Sequence, residues 1–287
     1  MEPTVSDLSC TLQAIYLHPV KSCAGVSVDQ ALLIETGLEF DRAWMLVDEN
    51  DRFISQRECP VLALVEVKLQ SNDLRLRAPG MLALHVALDR VEAPRRVTVW
   101  NDRVAAYDMG ALAAQWFSDY LGQPVRLVRF DPQQRRRCDA RWCGQIEAQT
   151  ALADAFALLI TSTASLAELN RRLVQRGHAA VEMRRFRPNL VLDGLDAHDE
   201  DHVRDLHIDT AQGPVHLRLV KPCTRCSIPD VDPTSGLQGS GVLEALASYR
   251  SDPRVDGGVT FGMNAVVVSG VEHVLAVGQG GRASLGF

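Results

Sequence analysis

Lys221-Pro222-Cys223-Thr224-Arg225-Cys226 brings two thiols together with an arginine between them, and Asp232-Pro233 follows closely. Thiolates are soft ligands suited to zinc and to other sulfur-bound metals, and a neighbouring guanidinium lowers a thiol pKa by favouring its charged form. The spacing leaves four chemistries open. A structural zinc site needs about four ligands, and Cys138 and Cys143 would have to supply the rest from a polar loop. A redox dithiol should open a helix, yet Pro229 follows Cys226 too soon for a good helix start. A buried, inert pair is the plain reading. The fourth is one metal-ligating thiolate with the other cysteine beside it.

Three further segments place cations near turns. Pro19-Val20-Lys21-Ser22-Cys23-Ala24-Gly25 sets an ammonium and a hydroxyl at a strand end, a reasonable anion-binding corner. Arg185-Phe186-Arg187-Pro188-Asn189 offers guanidinium groups and an amide, with Pro188 holding the backbone extended. Asp41-Arg42-Ala43-Trp44 and Gln56-Arg57 add two arginines at strand borders. Taken singly, the lysine and the Asp41–Arg42 pair read as bland surface features, and Arg185 to Asn189 as an ordinary strand entry. The glycines fit neither a P-loop nor a dinucleotide fingerprint. No Gly-x-Ser-x-Gly elbow occurs, and the eight histidines are scattered along the chain.

The chain that must hold these groups has 287 residues, enough for one large or two modest domains, with 46% hydrophobic and 23% charged residues. A net charge of -6 argues against general nucleic-acid binding, and Arg135-Arg136-Arg137 reads as a solvated loop. No apolar run reaches the length of a membrane span. Met1 to Cys10 lacks a signal pattern, so the expected compartment is the cytoplasm. Seven cysteines in a chain of this length suggest reduced thiols rather than a disulfide framework.

Short alternating runs dominate the first hundred residues: Leu12 to Val20, Trp44 to Val47, Leu62 to Leu69, Leu74 to Arg77, Leu82 to Leu88, Val97 to Trp100 and Val104 to Tyr107. Turn residues separate them, which predicts a β-barrel or sandwich. Leu112, Trp116 and Tyr120 predict one face of a helix over 111–121 that stops at Gly122. Asp131 to Gln149 is polar and poorly periodic, and reads as a connection. In the second half, Ala157 to Ile160, Asn189 to Leu192, Val215 to Val220, Asn264 to Val268 and Val274 to Val277 read as strands, and Leu243 to Tyr249 as a helix. Ser165-Leu166-Ala167-Glu168 has capping-box spacing ahead of a Leu166, Leu169, Leu173 stripe.

Set in order, several segments resemble one family. Tyr16-Leu17-His18-Pro19-Val20-Lys21-Ser22-Cys23, Asp41-Arg42-Ala43-Trp44, Ser165 to Asn170, Phe186-Arg187-Pro188-Asn189, Cys223-Thr224-Arg225-Cys226 with Val231-Asp232-Pro233, Leu246 to Arg250 and Phe261-Gly262 are the linked motifs. Over roughly Leu12 to Gln279 the chain resembles the MOSC (molybdenum cofactor sulfurase C-terminal) domain proteins that carry an N-terminal MOSC β-barrel domain. Among them are the amidoxime-reducing components and bacterial proteins that detoxify N-hydroxylated bases.

The resemblance implies an α+β, mostly β fold: an N-terminal β-barrel-like domain at 10–125, a connection at 126–149, a MOSC β-barrel domain with peripheral helices at 150–280 and a tail at 281–287. The first strand is expected to pair with the C-terminal half. The implied cofactor is a molybdenum-pterin group, with Cys226 as the protein's metal ligand and Cys223 beside it. The matching positions imply cofactor contacts from Lys21, Ser22, Arg42, Arg187, Asn189, Thr224, Arg225 and Asn264, with Asp154 and Phe156 contributing mainly through backbone. Asp232 is expected as a proton source or supporting group, and Arg225 as the cation that stabilises the Cys226 thiolate. The implied activity is an oxidoreductase's: reductive N–O cleavage of N-hydroxylated compounds. Electrons would come from a separate ferredoxin- or cytochrome-type donor with its reductase, because the cysteines lack iron–sulfur spacing. The alternative function is a molybdenum cofactor or sulfur carrier that uses a Cys226 persulfide or thiolate.

Overall fold

The computed structural model describes residues 7–90 and 92–286. The expectation about Met1 to Ser6 lies outside them. The fold is mostly β, with two β-rich units packed over a shared seam.

Seven strands of the second unit close on themselves. Leu158–Ser162, Leu190–Asp193, Asp7–Leu17, Gly280–Leu285, Val203–Thr210, Gly213–Thr224 and Gly258–Ser269 neighbour one another in that order, and the last pairs back to the first. Closure leaves no free edge among these strands. Only Leu158–Ser162 and Leu190–Asp193 run parallel. Alternate residues point inward, so Leu12, Leu190, Leu206, Leu217, Ala265 and Ala283 fill one buried core.

The first strand bonds to Leu190–Asp193 and Gly280–Leu285, so it serves the C-terminal barrel as expected. The expected tail is wrong: Gly280–Leu285 is a central barrel strand. Its glycines look like loop residues in sequence, but the strand has no room for a side chain at Gly281. A Cβ on Gly281 would lie 2.9 Å from the His207 carbonyl oxygen and 3.1 Å from Cys10 Sγ.

The N-terminal unit pairs as a four-stranded sheet, Trp44–Val47, Arg126–Phe130, Asp102–Asp108 and Pro94–Val99, and a three-stranded sheet, Glu66–Leu69, Asp73–Arg77 and Leu84–Ala87. Leu46 and Leu127 from the first meet Leu74, Leu76 and Val86 from the second in one core. The helix Ala111–Leu121 packs there and ends at Gly122, whose φ of 67° suits glycine. Its buried face carries Ala113, Ala114, Trp116 and Phe117, with Tyr120 packed against the same core, so Trp116 and Tyr120 of the expected stripe lie on it while Leu112, 69% exposed, does not.

Three other expectations need correction. Pro60–Leu64 is a 3-10 turn, started by Pro60, and the strand begins only at Glu66. The helix Thr163–Gln175 is capped by Ser162, whose Oγ accepts from the Ser165 N–H, and Glu168 pairs with Arg171 and Arg172 instead of reaching back. Arg136 is no solvated loop residue but is buried.

Candidate active site

Strand Gly213–Thr224 loses its regular register against Gly258–Ser269 between Leu219 and Lys221, and again between Pro222 and Thr224. These irregularities bend the chain out of the barrel wall just before Cys226. A 3-10 turn, Ile228–Asp230, follows. Asp230 anchors it by accepting from the backbone N–H groups of Val242 and Leu243, at 2.8 and 3.3 Å. Cys223 and Cys226 are therefore half-buried free thiols on a fixed rim.

Below that rim lies a cavity of about 140 Å³ lined from both units: Lys21, Ser22, Arg42 and Arg57 on one side, Arg187, Asn189, Thr224, Arg225, Cys226 and Asn264 on the other, with Ala153 to Phe156 along the seam. The Lys21 ammonium is buried and donates to the Leu152 carbonyl at 2.8 Å and to Asp154 Oδ1 at 2.6 Å. Burial lowers its pKa against the opposing pull of Asp154. The Asp154 carboxyl, itself 62% exposed, is held well below the usual carboxylate range by Lys21 and the Trp100 indole N–H.

Arg42 donates to Asp41, to Asn189 Oδ1 at 2.9 Å and to the Arg187 carbonyl at 2.9 Å. Arg187 donates to the Cys23 carbonyl at 2.6 Å, and burial together with the nearby Arg42 charge lowers its pKa to about 10. Protonated His18 would face the same two arginines; burial and their charge keep it neutral. Ser22, Arg42 and Arg187 have φ of 71°, 48° and 56°. Left-handed backbone is uncommon for residues other than glycine and clusters at functional sites, where the surrounding structure holds it in place.

All ten residues expected to contact a cofactor line this one cavity. Two do so with side chains largely committed elsewhere. Asn189 is buried, and its amide serves Arg42, the Leu159 N–H and the Tyr16 carbonyl. Phe156 packs its ring into a small cluster with Cys138 and Cys143. Asp232 is not a wall residue. Its carboxylate accepts from Arg185 and from the Thr234 and Ser235 N–H groups, and these bonds keep it ionised, so it anchors a loop and makes a poor proton source.

The cation assignment also changes. Arg225 donates to Cys223 Sγ at 3.1 Å and to the Phe186 carbonyl at 2.8 Å, whereas the guanidinium beside Cys226 Sγ, at 3.8 Å, is Arg57 from the other unit. Among the described residues no group of three or more His, Cys, Asp or Glu side chains could hold a metal, which removes the zinc reading built on four cysteines.

Sequence comparison fits this geometry. Residues 9–124 match the MOSC N-terminal beta barrel domain and residues 147–280 the MOSC domain. The chain belongs to the MOSC family. Mitochondrial amidoxime reducing component 2 of Rattus norvegicus is 34% identical over 258 residues, covering 85% of this chain and 74% of that protein. Mitochondrial amidoxime-reducing component 1 of Homo sapiens is 34% identical over 254 residues, covering 85% and 73%. Molybdenum cofactor sulfurase of Danio rerio is 31% identical over 271 residues, covering 89% of this chain but 32% of that protein. Among the described residues of this MOSC protein no helix is long and apolar enough to cross a membrane.

Sequence reasoning missed two members of the MOSC cavity's wall and support. Arg57 was visible only as an arginine at a strand border. Arg136, hidden in an arginine run, donates to the carbonyls of Ala151, Ala153 and Asp154 at 2.9, 2.6 and 3.0 Å and so shapes the seam. No short-range sequence signal marks an arginine that caps carbonyls so far along the chain.

Proposed function

We propose that this protein is a molybdenum-pterin oxidoreductase that reduces N-hydroxylated compounds, taking electrons from a separate one-electron carrier of ferredoxin or cytochrome type. The observation that carries the reading is the cavity itself. A half-buried thiol stands at one end, and Lys21, Arg42, Arg57, Arg187 and Arg225 surround it, against Asp41 and Asp154. That surplus of positive charge, buried at Lys21 and half-buried at the arginines, suits an anionic ligand. Arg225 Nε is buried without a hydrogen-bond partner, a donor left for a bound acceptor. Soft thiol, cations and amide groups together fit a phosphorylated pterin that carries a sulfur-bound metal.

In this reading Cys226 holds the metal, and Lys21, Arg42, Arg187 and Arg225 hold the phosphate and heterocycle, with Ser22, Thr224, Asn264 and the backbone at Asp154 and Phe156 completing the cradle. The bound group would supply two-electron redox chemistry. The overall change balances as one N–O bond broken, with two electrons and two protons converting R–NH–OH to R–NH2 and water. The protein's part is positional. Arg57 keeps a fixed positive charge beside Cys226 Sγ, Arg42 and Arg187 lock the two units together, and the neutral His18 donates through Nε2 to the Pro188 carbonyl at 3.0 Å to hold the Arg187 turn.

The test is reduction of N-hydroxybenzamidine with a chemical one-electron donor, on protein from a host that makes the pterin. The reading expects turnover in the wild type and its loss in Cys226→Ser at unchanged far-UV circular dichroism. A cofactor or sulfur carrier would bind the group and show no turnover.

A further inference from the structure

A second chamber, of about 470 Å³, opens beside the cavity of Cys226 and shares Phe53 and Arg57 with it. Asp48, Arg52, Thr98 and Trp100 form most of its remaining wall. Trp100 is its unusual member. Strands Pro94–Val99 and Asp102–Asp108 pair Val99 with Asp102, so Trp100 is the first residue of a two-residue hairpin turn. Its φ is 55°, at a position that favours glycine. A bulky side chain there is strained, and such strain persists only where the surroundings enforce it.

Those surroundings aim the indole at the site. Its Nε1 donates to Asp154 Oδ1 at 3.0 Å, the same oxygen that pairs with Lys21. The Phe53 ring meets it edge-on at 5.1 Å between centroids. The Arg57 guanidinium carbon lies 4.7 Å from the indole centroid, while Nη1 of the same group lies 3.8 Å from Cys226 Sγ. One guanidinium thus spans the gap between the aromatic pair and the reactive sulfur. Trp100 nonetheless remains 51% exposed. Holding Asp154 needs only the indole N–H; it does not need an open ring face in a strained turn.

We propose that this chamber is a ring-binding subsite, with Trp100 and Phe53 as its aromatic wall, which selects N-hydroxylated compounds that carry a flat aromatic or heteroaromatic ring. The inference rests on the reductase reading for its substrate class. A ring stacked on Trp100 places its N-hydroxy substituent toward Arg57 and Cys226. Aromatic stacking adds affinity beyond apolar burial, and Arg57 can donate to the substituent's oxygen while its far side stays on the indole.

The test has two arms. In the first, cofactor-free protein labelled with 15N is titrated with N-hydroxybenzamidine or with N-hydroxyacetamidine, its aliphatic counterpart. The chain has four tryptophans, and so four indole N–H resonances. The peak missing from Trp100→Ala should move with the aromatic probe and stay with the aliphatic one. Movement of no indole peak, or only of the others, overturns the subsite. In the second arm, cofactor-loaded enzyme is compared by the ratio of kcat/KM for the aromatic probe to that for the aliphatic one. Trp100→Ala should lower this ratio about tenfold, the scale of one good aromatic contact, and Trp100→Phe, which keeps a ring but loses the bond to Asp154, should keep it within about twofold. An unchanged ratio in Trp100→Ala refutes the subsite. If wild-type enzyme reduces neither probe, the reductase reading fails, and the resonance arm still decides whether the chamber takes rings.

Discussion

Arg136→Met removes a cation that bridges the seam without lining the cavity. Its side chain is 5% exposed and donates to three backbone carbonyls, of Ala151, Ala153 and Asp154, as well as to Asp102. Asp102 is 53% exposed, so that ion pair is screened and contributes little. The carbonyls matter more. A hydrogen bond from a charged donor contributes about 1.5–3 kcal/mol net, and a buried acceptor stripped of its donor costs about as much. Three such acceptors, partly rescued by water, place Arg136→Met at about 3–5 kcal/mol of destabilisation. Asp102→Ala, which spares the carbonyls, should cost less than about 1 kcal/mol. Urea unfolding at neutral pH measures both. Because the carbonyls belong to the loop that carries Asp154, Arg136→Met should also lower molybdenum content at temperatures where the protein stays folded. The reasoning fails if Arg136→Met costs under about 1 kcal/mol, or if Asp102→Ala costs as much.

Cys223→Ser should keep its molybdenum, since Arg225 donates to that sulfur at 3.1 Å while Cys226 is the assigned ligand; equal metal loss in Cys223→Ser and Cys226→Ser would point to a shared two-thiolate site. Lys21→Met should weaken cofactor retention and raise the pKa of Asp154, which carbon-detected NMR titration of the carboxyl can follow; an unmoved Asp154 would show that the ammonium does not hold it. His18 lies well below its ordinary pKa of 6.5, and burial and then Arg250 lower His198 to about 4. The unfolded chain therefore binds more protons between these values, and the stability both groups contribute is full above pH 6.5 and lost as pH falls toward 4. Burial raises the Glu200 and Asp201 carboxyls and pulls the other way, so the histidine contribution is read by comparison: from pH 7.5 to 5.0 the urea midpoint should fall by less, or rise by more, in His198→Phe than in the wild type, and an equal pH dependence in the two would contradict the assignment.

Much of this architecture was legible because alternation marks strands and because the cysteine, lysine and arginine motifs sit at strand ends. The tail was misread because Gly280 and Gly281 look like loop residues, and only the barrel shows that Gly281 must lack a side chain to let a neighbouring strand approach. The helix stripe lost one member because Leu112 follows the period but points to solvent. The family resemblance could name Cys226 and Lys21 yet could not say which arginine meets which sulfur, since Arg57 arrives from 169 residues away. Nor could composition locate an aromatic wall. Phe53 and Trp100 are distant in sequence, and the hairpin turn that brings Trp100 against Phe53 uses a backbone conformation that tryptophan seldom adopts.

The central claim is that the Cys226 sulfur holds a molybdenum-pterin group within a cavity built by both units. Protein from a pterin-making host can be alkylated with iodoacetamide, digested and mapped by mass spectrometry, with metal content measured on the same sample. The account predicts stoichiometric molybdenum and a Cys226 that resists alkylation until the cofactor is stripped. Zinc in place of molybdenum, or a Cys226 that alkylates equally fast with and without bound molybdenum, would contradict it.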